Sequence, residues 1–221
     1  MIRTPEMDAL RDRILDAALP HVTFDGWSRK SLVDGARSAG LEPEDVDIAF
    51  PRGTRGAVDH WLRRADDAMA AALEAADLDS MRIRDRIAFA VRTRLEQAEP
   101  HKEAVRLALG YLALPGNARI AASSLYRTVD AIWWACGDRS TDFNFYTKRG
   151  LLAAVYTSTL LYWLDDSSDG HADSWAFLDR RIADVMRIPK LKGRLRELGD
   201  KLPSPLRFMR AYRTARGAAA G

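Results

Sequence analysis

Few residues of this 221-residue chain are spaced to do chemistry. The four histidines, His21, His60, His101 and His171, are scattered, and none lies at helical spacing from another. No Glu precedes a His by three positions, so the helical Glu-x-x-His pair that holds a di-iron centre is missing. Cys136 is the single cysteine, which excludes an intramolecular disulfide and fits a reducing compartment. Beside Trp133 and Trp134 it reads as a small buried residue rather than a nucleophile. Asp165, Asp166 and Asp169 suggest calcium, but their spacing is not that of an EF-hand loop and the terminal Glu is missing. A solvated helix stop is the expected role. The chain has no dinucleotide or phosphate-binding glycine loop, no Gly-x-Ser-x-Gly and no His-Glu-x-x-His. A protein without catalytic site, metal or cofactor is expected.

What the chain does carry is an uneven distribution of aromatics and charge. Residues 126–177 hold 11 of the 19 aromatics, a density that points to a large packed ligand or a binding face. Net charge is +3, yet residues 187–221 alone carry 10 Lys/Arg against 2 acids, so an acidic body precedes a basic tail. After Ser204 and Pro205, Phe208, Ala211, Tyr212 and Ala215 recur on one helical face. Arg207, Arg210 and Arg213 fall opposite, with Leu206 among them. A short helix of this kind can lie on an anionic membrane surface, which makes Arg207, Phe208, Arg210, Tyr212 and Arg213 candidate membrane contacts.

The elements that must position these features are helical throughout. Apolar stripes predict helices near 8–22, 28–40, 43–50, 55–76, 81–97, 101–114, 118–134 and 143–164, and a last one from about Asp173. Pro20 is expected to kink or end the first of them. The longest uncharged apolar run, residues 150–164, has 15 residues and falls short of the ~20 a bilayer span needs. No apolar leader follows Met1, so the sequence predicts a cytoplasmic protein held at the inner face of the membrane.

The first three helices, with Gly40 between the second and third, outline a helix-turn-helix. The run Ile14-Leu15-Asp16-Ala17-Ala18-Leu19, Ser38-Ala39-Gly40-Leu41 and Phe50 resemble the opening of TetR-type regulators. DNA is nevertheless not expected as a partner. The third helix carries Glu42, Glu44, Asp45 and Asp47, and residues 40–51 contain no Lys or Arg to meet phosphates. The expected fold is all-α and TetR-like: a helix-turn-helix-like unit over 1–54, a helical ligand-binding and dimerisation bundle over 55–190, and a basic tail over 191–221.

One segment is more specific. Asp138-Arg139-Ser140-Thr141-Asp142-Phe143-Asn144-Phe145-Tyr146-Thr147-Lys148-Arg149 resembles the signature of the coenzyme Q biosynthesis accessory proteins, a TetR-like family of lipid binders. Trp133-Trp134, Asp165-Asp166-Ser167-Ser168, Trp175-Ala176-Phe177-Leu178 and Phe24-Asp25-Gly26-Trp27-Ser28 extend the resemblance over about residues 8–190. It implies a homodimer with an apolar cavity for an isoprenoid lipid or quinone. It also implies association with the membrane and assistance to the di-iron demethoxyubiquinone hydroxylase. Carried over by position, Asp142, Phe145 and Tyr146 would meet that partner. Leu109, Leu112, Val129, Trp133, Leu152, Tyr156 and Leu160 are the candidate cavity walls. A TetR-type regulator and an isoprenoid-modifying enzyme are the rival readings; the first needs a DNA-binding surface and the second a catalytic constellation.

Overall fold

The structure, a computed structural model, describes the backbone of residues 4–137 and 143–201 and the side chains of 4–137 and 147–187. Every long element among them is an α-helix: α1 Pro5–Asp25, α2 Arg29–Ser38, α3 Pro43–Ala49, α4 Thr54–Glu74, α5 Ile83–Glu96, α6 Lys102–Ala113, α7 Ala118–Ala135, α8 Phe143–Asp165 and α9 Ala172–Lys201. No strand occurs among the described residues.

Local chemistry sets the helix ends. Thr4 Oγ1 accepts the Met7 N–H at 3.3 Å and Pro5 occupies the first turn of α1. Helix α1 does not end at Pro20 but runs on to Asp25. Proline removes one N–H, and both Pro20 and Asp16, whose carbonyl loses its donor, lie on the exposed side where water can serve it. Leu19 and Val22 are buried and hold the following turn in place. Gly26, at φ +70°, then ends the helix. Ser28 caps α2 by accepting the Ser31 N–H at 3.1 Å. At the tip of α3 the Glu42 N–H donates to Asp45 Oδ2 at 2.9 Å, a use for one of its carboxylates.

Helices α1 to α3 share a core with α4 and α6 that includes Ile14, Leu15, Leu32, Val46, Phe50, Val58 and Trp61. Helices α1 and α2 cross so closely that a Cβ on Gly35 would stand 2.5 Å from Ala18 Cα. Trp27 packs with its ring 5.1 Å from that of Trp61, the planes tilted by 48°, and donates its Nε1–H to the Ala104 carbonyl at 3.0 Å, tying the α1–α2 loop to α4 and α6. Arg11 is buried as well; its Nε–H caps α3 by donating to the Ala49 carbonyl at 2.9 Å.

The chain divides into one compact unit ending at Asp179 and another starting at Arg180. In the second, Arg181 pairs with Asp184 at 2.7 Å along α9.

Candidate functional site

Helices α4, α5, α6 and α8 leave a cavity of about 230 Å³ between them. Its apolar wall comes from Trp61, Leu62, Leu95, Val105, Leu109, Leu112 and Leu160. The spacing of Val105, Leu109 and Leu112 puts all three on one face of α6, and Tyr156 and Leu160 are one turn apart on α8. Ala68, Gln97 and His101 are exposed and lie on the side open to solvent.

Of the residues expected to line such a cavity, Leu109, Leu112, Tyr156 and Leu160 do so. Val129 and Leu152 are buried in the helix packing instead, and Trp133 is half-buried with the Lys148 ammonium 5.7 Å from its ring centre. None of these three reaches the cavity wall. Asp142 lies outside the described residues, as do the side chains of Phe145 and Tyr146, whose backbone opens α8. Arg207, Phe208, Arg210, Tyr212 and Arg213 lie outside them too.

The residues the sequence did not reveal are the charged ones behind the wall. Arg94 lines the cavity although only 5% exposed. Its Nε stands 3.4 Å from Asp66 Oδ1, which also accepts the Thr128 hydroxyl at 2.8 Å. Asp66 Oδ2 accepts the Arg127 Nε–H at 2.9 Å, and Arg127 Nη1 reaches on to Asp59 at 3.2 Å. Asp59 in turn receives Arg52 at 2.8 Å and Arg63 at 3.4 Å. Burial opposes charge on Asp59, but the Arg52 hydrogen bond and the Arg63 and Arg127 charges outweigh it and hold its carboxyl below the ordinary range. Tyr156 is buried against the same cluster. Loss of solvent pushes its phenol above its ordinary value, so it stays a protonated donor at neutral pH.

The aromatic-rich stretch divides between core and surface. Trp163 is fully buried under the Lys102 ammonium at 4.9 Å, and Tyr162 stacks on Phe177 at 4.6 Å. Trp134 is 61% exposed, which leaves a large apolar side chain on the surface. The expected solvated helix stop is corrected at Asp166, whose side chain is 3% exposed and accepts the Ser168 N–H at 2.8 Å and the Ser174 N–H at 2.9 Å. Burial opposes its charge, but these bonds and those of the Ser174 and Ser168 side chains hold the carboxyl well below the ordinary range. It is the buried cap of α9. Among the described residues no three His, Cys, Asp or Glu side chains come together as a metal site, and no helix is long and apolar enough to cross a membrane.

On α3 two of the carboxylates, Asp45 and Asp47, are engaged. Asp47 pairs with Arg29 at 2.7 Å, and that hydrogen bond and charge lower the carboxyl and raise the guanidinium from their ordinary values.

A helix-turn-helix-like unit packed on a helical bundle with a cavity open on one side defines the class, and solved structures bear it out. The chain is similar to a TetR transcriptional regulator from Nitrosomonas europaea, with TM-score 0.67 and 20% identity over 80% of this chain and 98% of that one. A TetR-family regulator from Rhodococcus sp. matches with TM-score 0.52 and 20% identity over 80% of this chain and 99% of that one. The fold is all-α and TetR-like. At these identities the likeness concerns fold alone. The sequence relatives are more particular: residues 118–189 match the model of the COQ9 family. The chain is 37% identical to the mitochondrial ubiquinone biosynthesis protein COQ9 of Drosophila melanogaster, over 83% of this chain and 57% of the relative. With the Homo sapiens protein of the same name it shares 32% over 88% of this chain and 63% of the relative. The chain is thus similar to COQ9 proteins over most of its own length, and it spans about three-fifths of the length of these relatives.

Proposed function

We propose that the chain is a non-catalytic, lipid-binding accessory protein of ubiquinone biosynthesis. In this reading it binds an isoprenoid quinone intermediate and assists the di-iron demethoxyubiquinone hydroxylase at the membrane. The observation that carries it is the cavity between α4, α5, α6 and α8, walled by Leu62, Leu109, Leu112 and Leu160, in a chain similar to COQ9 proteins. Such a wall suits an apolar ligand and offers no nucleophile–base pair. Contact with the hydroxylase is assigned to Asp142, Phe145 and Tyr146, and contact with the membrane surface to Arg207, Phe208, Arg210, Tyr212 and Arg213. Homodimerisation belongs to the same proposal.

The test is lipid recovery. Protein purified without detergent should release an isoprenoid or other lipid on solvent extraction, with a matching adduct in native mass spectrometry. Replacement of Leu109 and Leu112 by Trp, which fills the cavity, should lower the yield several-fold. A reproducibly empty wild-type protein would remove the cavity reading.

A further inference from the structure

We propose that Arg94 and Tyr156 form a polar anchor in the cavity that holds an acceptor oxygen on the head of the bound ligand. The apolar tail then runs along Leu109, Leu112 and Leu160. The proposal rests on the lipid-cavity reading and adds to it the orientation and the head-group chemistry of the ligand.

The case starts from unspent donors. A guanidinium has five N–H groups, and burying them without acceptors is costly. Arg94 is 5% exposed, and its one hydrogen bond among the described residues is the long 3.4 Å contact from Nε to Asp66. Its two terminal amino groups have no protein partner there, and the side chain lines the cavity. The Tyr156 hydroxyl, on a side chain that is 7% exposed and lines the same cavity, has no hydrogen-bond partner among the described residues either. The other polar lining is either paired, as Arg64 is with Asp12 and Asp16, or exposed at the open side, as Gln97 and His101 are, so these two buried donors call for an acceptor that the protein does not supply.

Charge gives the sign of that acceptor. Arg94 and Arg64 line the cavity and no carboxylate does. Arg94 sits in a buried, low-dielectric wall, where a guanidinium favours an electronegative or anionic oxygen. Tyr156, kept protonated by burial, adds a neutral donor to the same end. Volume limits how much of the ligand is enclosed. About 230 Å³ lies below the ~300–1,000 Å³ of pockets that take a whole drug-sized molecule, so a head group and the first part of a tail fit. The rest of a polyprenyl chain must leave by the exposed side at Ala68, Gln97 and His101. A quinone carbonyl and a fatty carboxylate both supply the required oxygen.

Isothermal titration of the full-length protein with three probes tests the anchor: a decyl-substituted benzoquinone, dodecanoate and decylbenzene. One oxygenated probe should bind at least about ten-fold more tightly than decylbenzene, the scale of a hydrogen bond to a charged group. The preferred probe identifies the oxygen as ring carbonyl or carboxylate. Arg94→Met should bring that preference to within about two-fold, Tyr156→Phe should remove part of it, and decylbenzene should bind all three proteins alike. Arg94→Gln, which removes the charge, serves if the Met variant does not fold. Equal binding of all probes by the wild type, or a preference that survives loss of Arg94, overturns the anchor while the cavity stands. Failure of every probe to bind removes the cavity reading itself.

Discussion

Asp66 is the position at which the cluster behind the cavity can be tested most sharply. Its carboxylate is buried and receives Arg94, Arg127 and Thr128. In Asp66→Ala the three donors fare differently. Thr128 keeps its 3.1 Å bond to the Ser124 carbonyl, and Arg127, 22% exposed, keeps Asp59 at 3.2 Å. Arg94, with a side chain 7% exposed, keeps nothing. One uncompensated buried charge costs about 3–5 kcal/mol. For a chain of this size that corresponds to a melting temperature lower by roughly 6–20 °C. Arg94→Met should be much milder, about 1 kcal/mol, because Asp66 retains Arg127 and Thr128 and loses only its longest contact. The double variant Asp66→Ala/Arg94→Met should therefore be more stable than Asp66→Ala alone. Urea unfolding followed by tryptophan fluorescence measures all three. If Arg94→Met proved the more damaging single change, or if the double variant gained nothing over Asp66→Ala, Arg94 would not be the charge that Asp66 compensates.

Two further changes probe the frame around the site. Gly35→Ala puts a methyl 2.5 Å from Ala18 Cα, so it should cost about 1–3 kcal/mol in thermal melts. Ala18→Gly should not rescue it, because the Ala18 backbone N is also only 2.6 Å away. Asp166→Ala should cost about 1–3 kcal/mol at pH 7 by leaving donors of Ser168 and Ser174 unpaired. The folded carboxyl titrates below its unfolded value, so this contribution is complete above the unfolded range near ~4 and fades as pH falls further. Urea midpoints of wild type and variant should thus converge on acidification, and a gap that stays constant down to pH 2 would contradict the charged cap.

The fold was legible because its helices are amphipathic and punctuated by strong end signals such as Ser28 and Gly40. That α1 continues past Pro20 has a definite cause: the freed Asp16 carbonyl lies on the exposed face, a matter of helix rotation that a proline rule does not weigh. The four cavity residues found, Leu109, Leu112, Tyr156 and Leu160, belong to stripes, and stripes do not say whether the space before them is filled. Val129 and Leu152 look the same in sequence and are core. The charged cluster did leave a trace. Arg94 stands three residues after Val91 and seven after Ile87, and Asp66 stands between Leu62 and Met69, each on the inward face of its helix. A carboxylate and a guanidinium both placed inward suggest a buried pair before any coordinates exist. Which of their partners lay near the cavity depended on how α4, α5 and α7 pack, and no single helix encodes that.

Electrostatics separates the two ligands that this frame could serve. A helix-turn-helix that reads DNA needs cations on its outer face free for phosphates. On α2 the cations are already matched: Arg29 faces Asp47 at 2.7 Å, Lys30 faces Asp25 at 2.5 Å and Arg37 faces Asp34 at 3.6 Å. Helix α3 adds Glu42 and Glu44 with no cation of its own. Any approaching phosphate must displace a carboxylate from each cation it uses, which cancels much of the counterion-release gain. At the cavity the lining differs: Arg94 is buried in the wall and no carboxylate lines it. Surface charge is screened within about 8–10 Å by salt, whereas charge against a buried wall acts on a ligand at nearly full strength. Under the proposed anchor, Arg94 stands buried where a lipid head group would meet it, while the cations of α2 face neighbouring carboxylates.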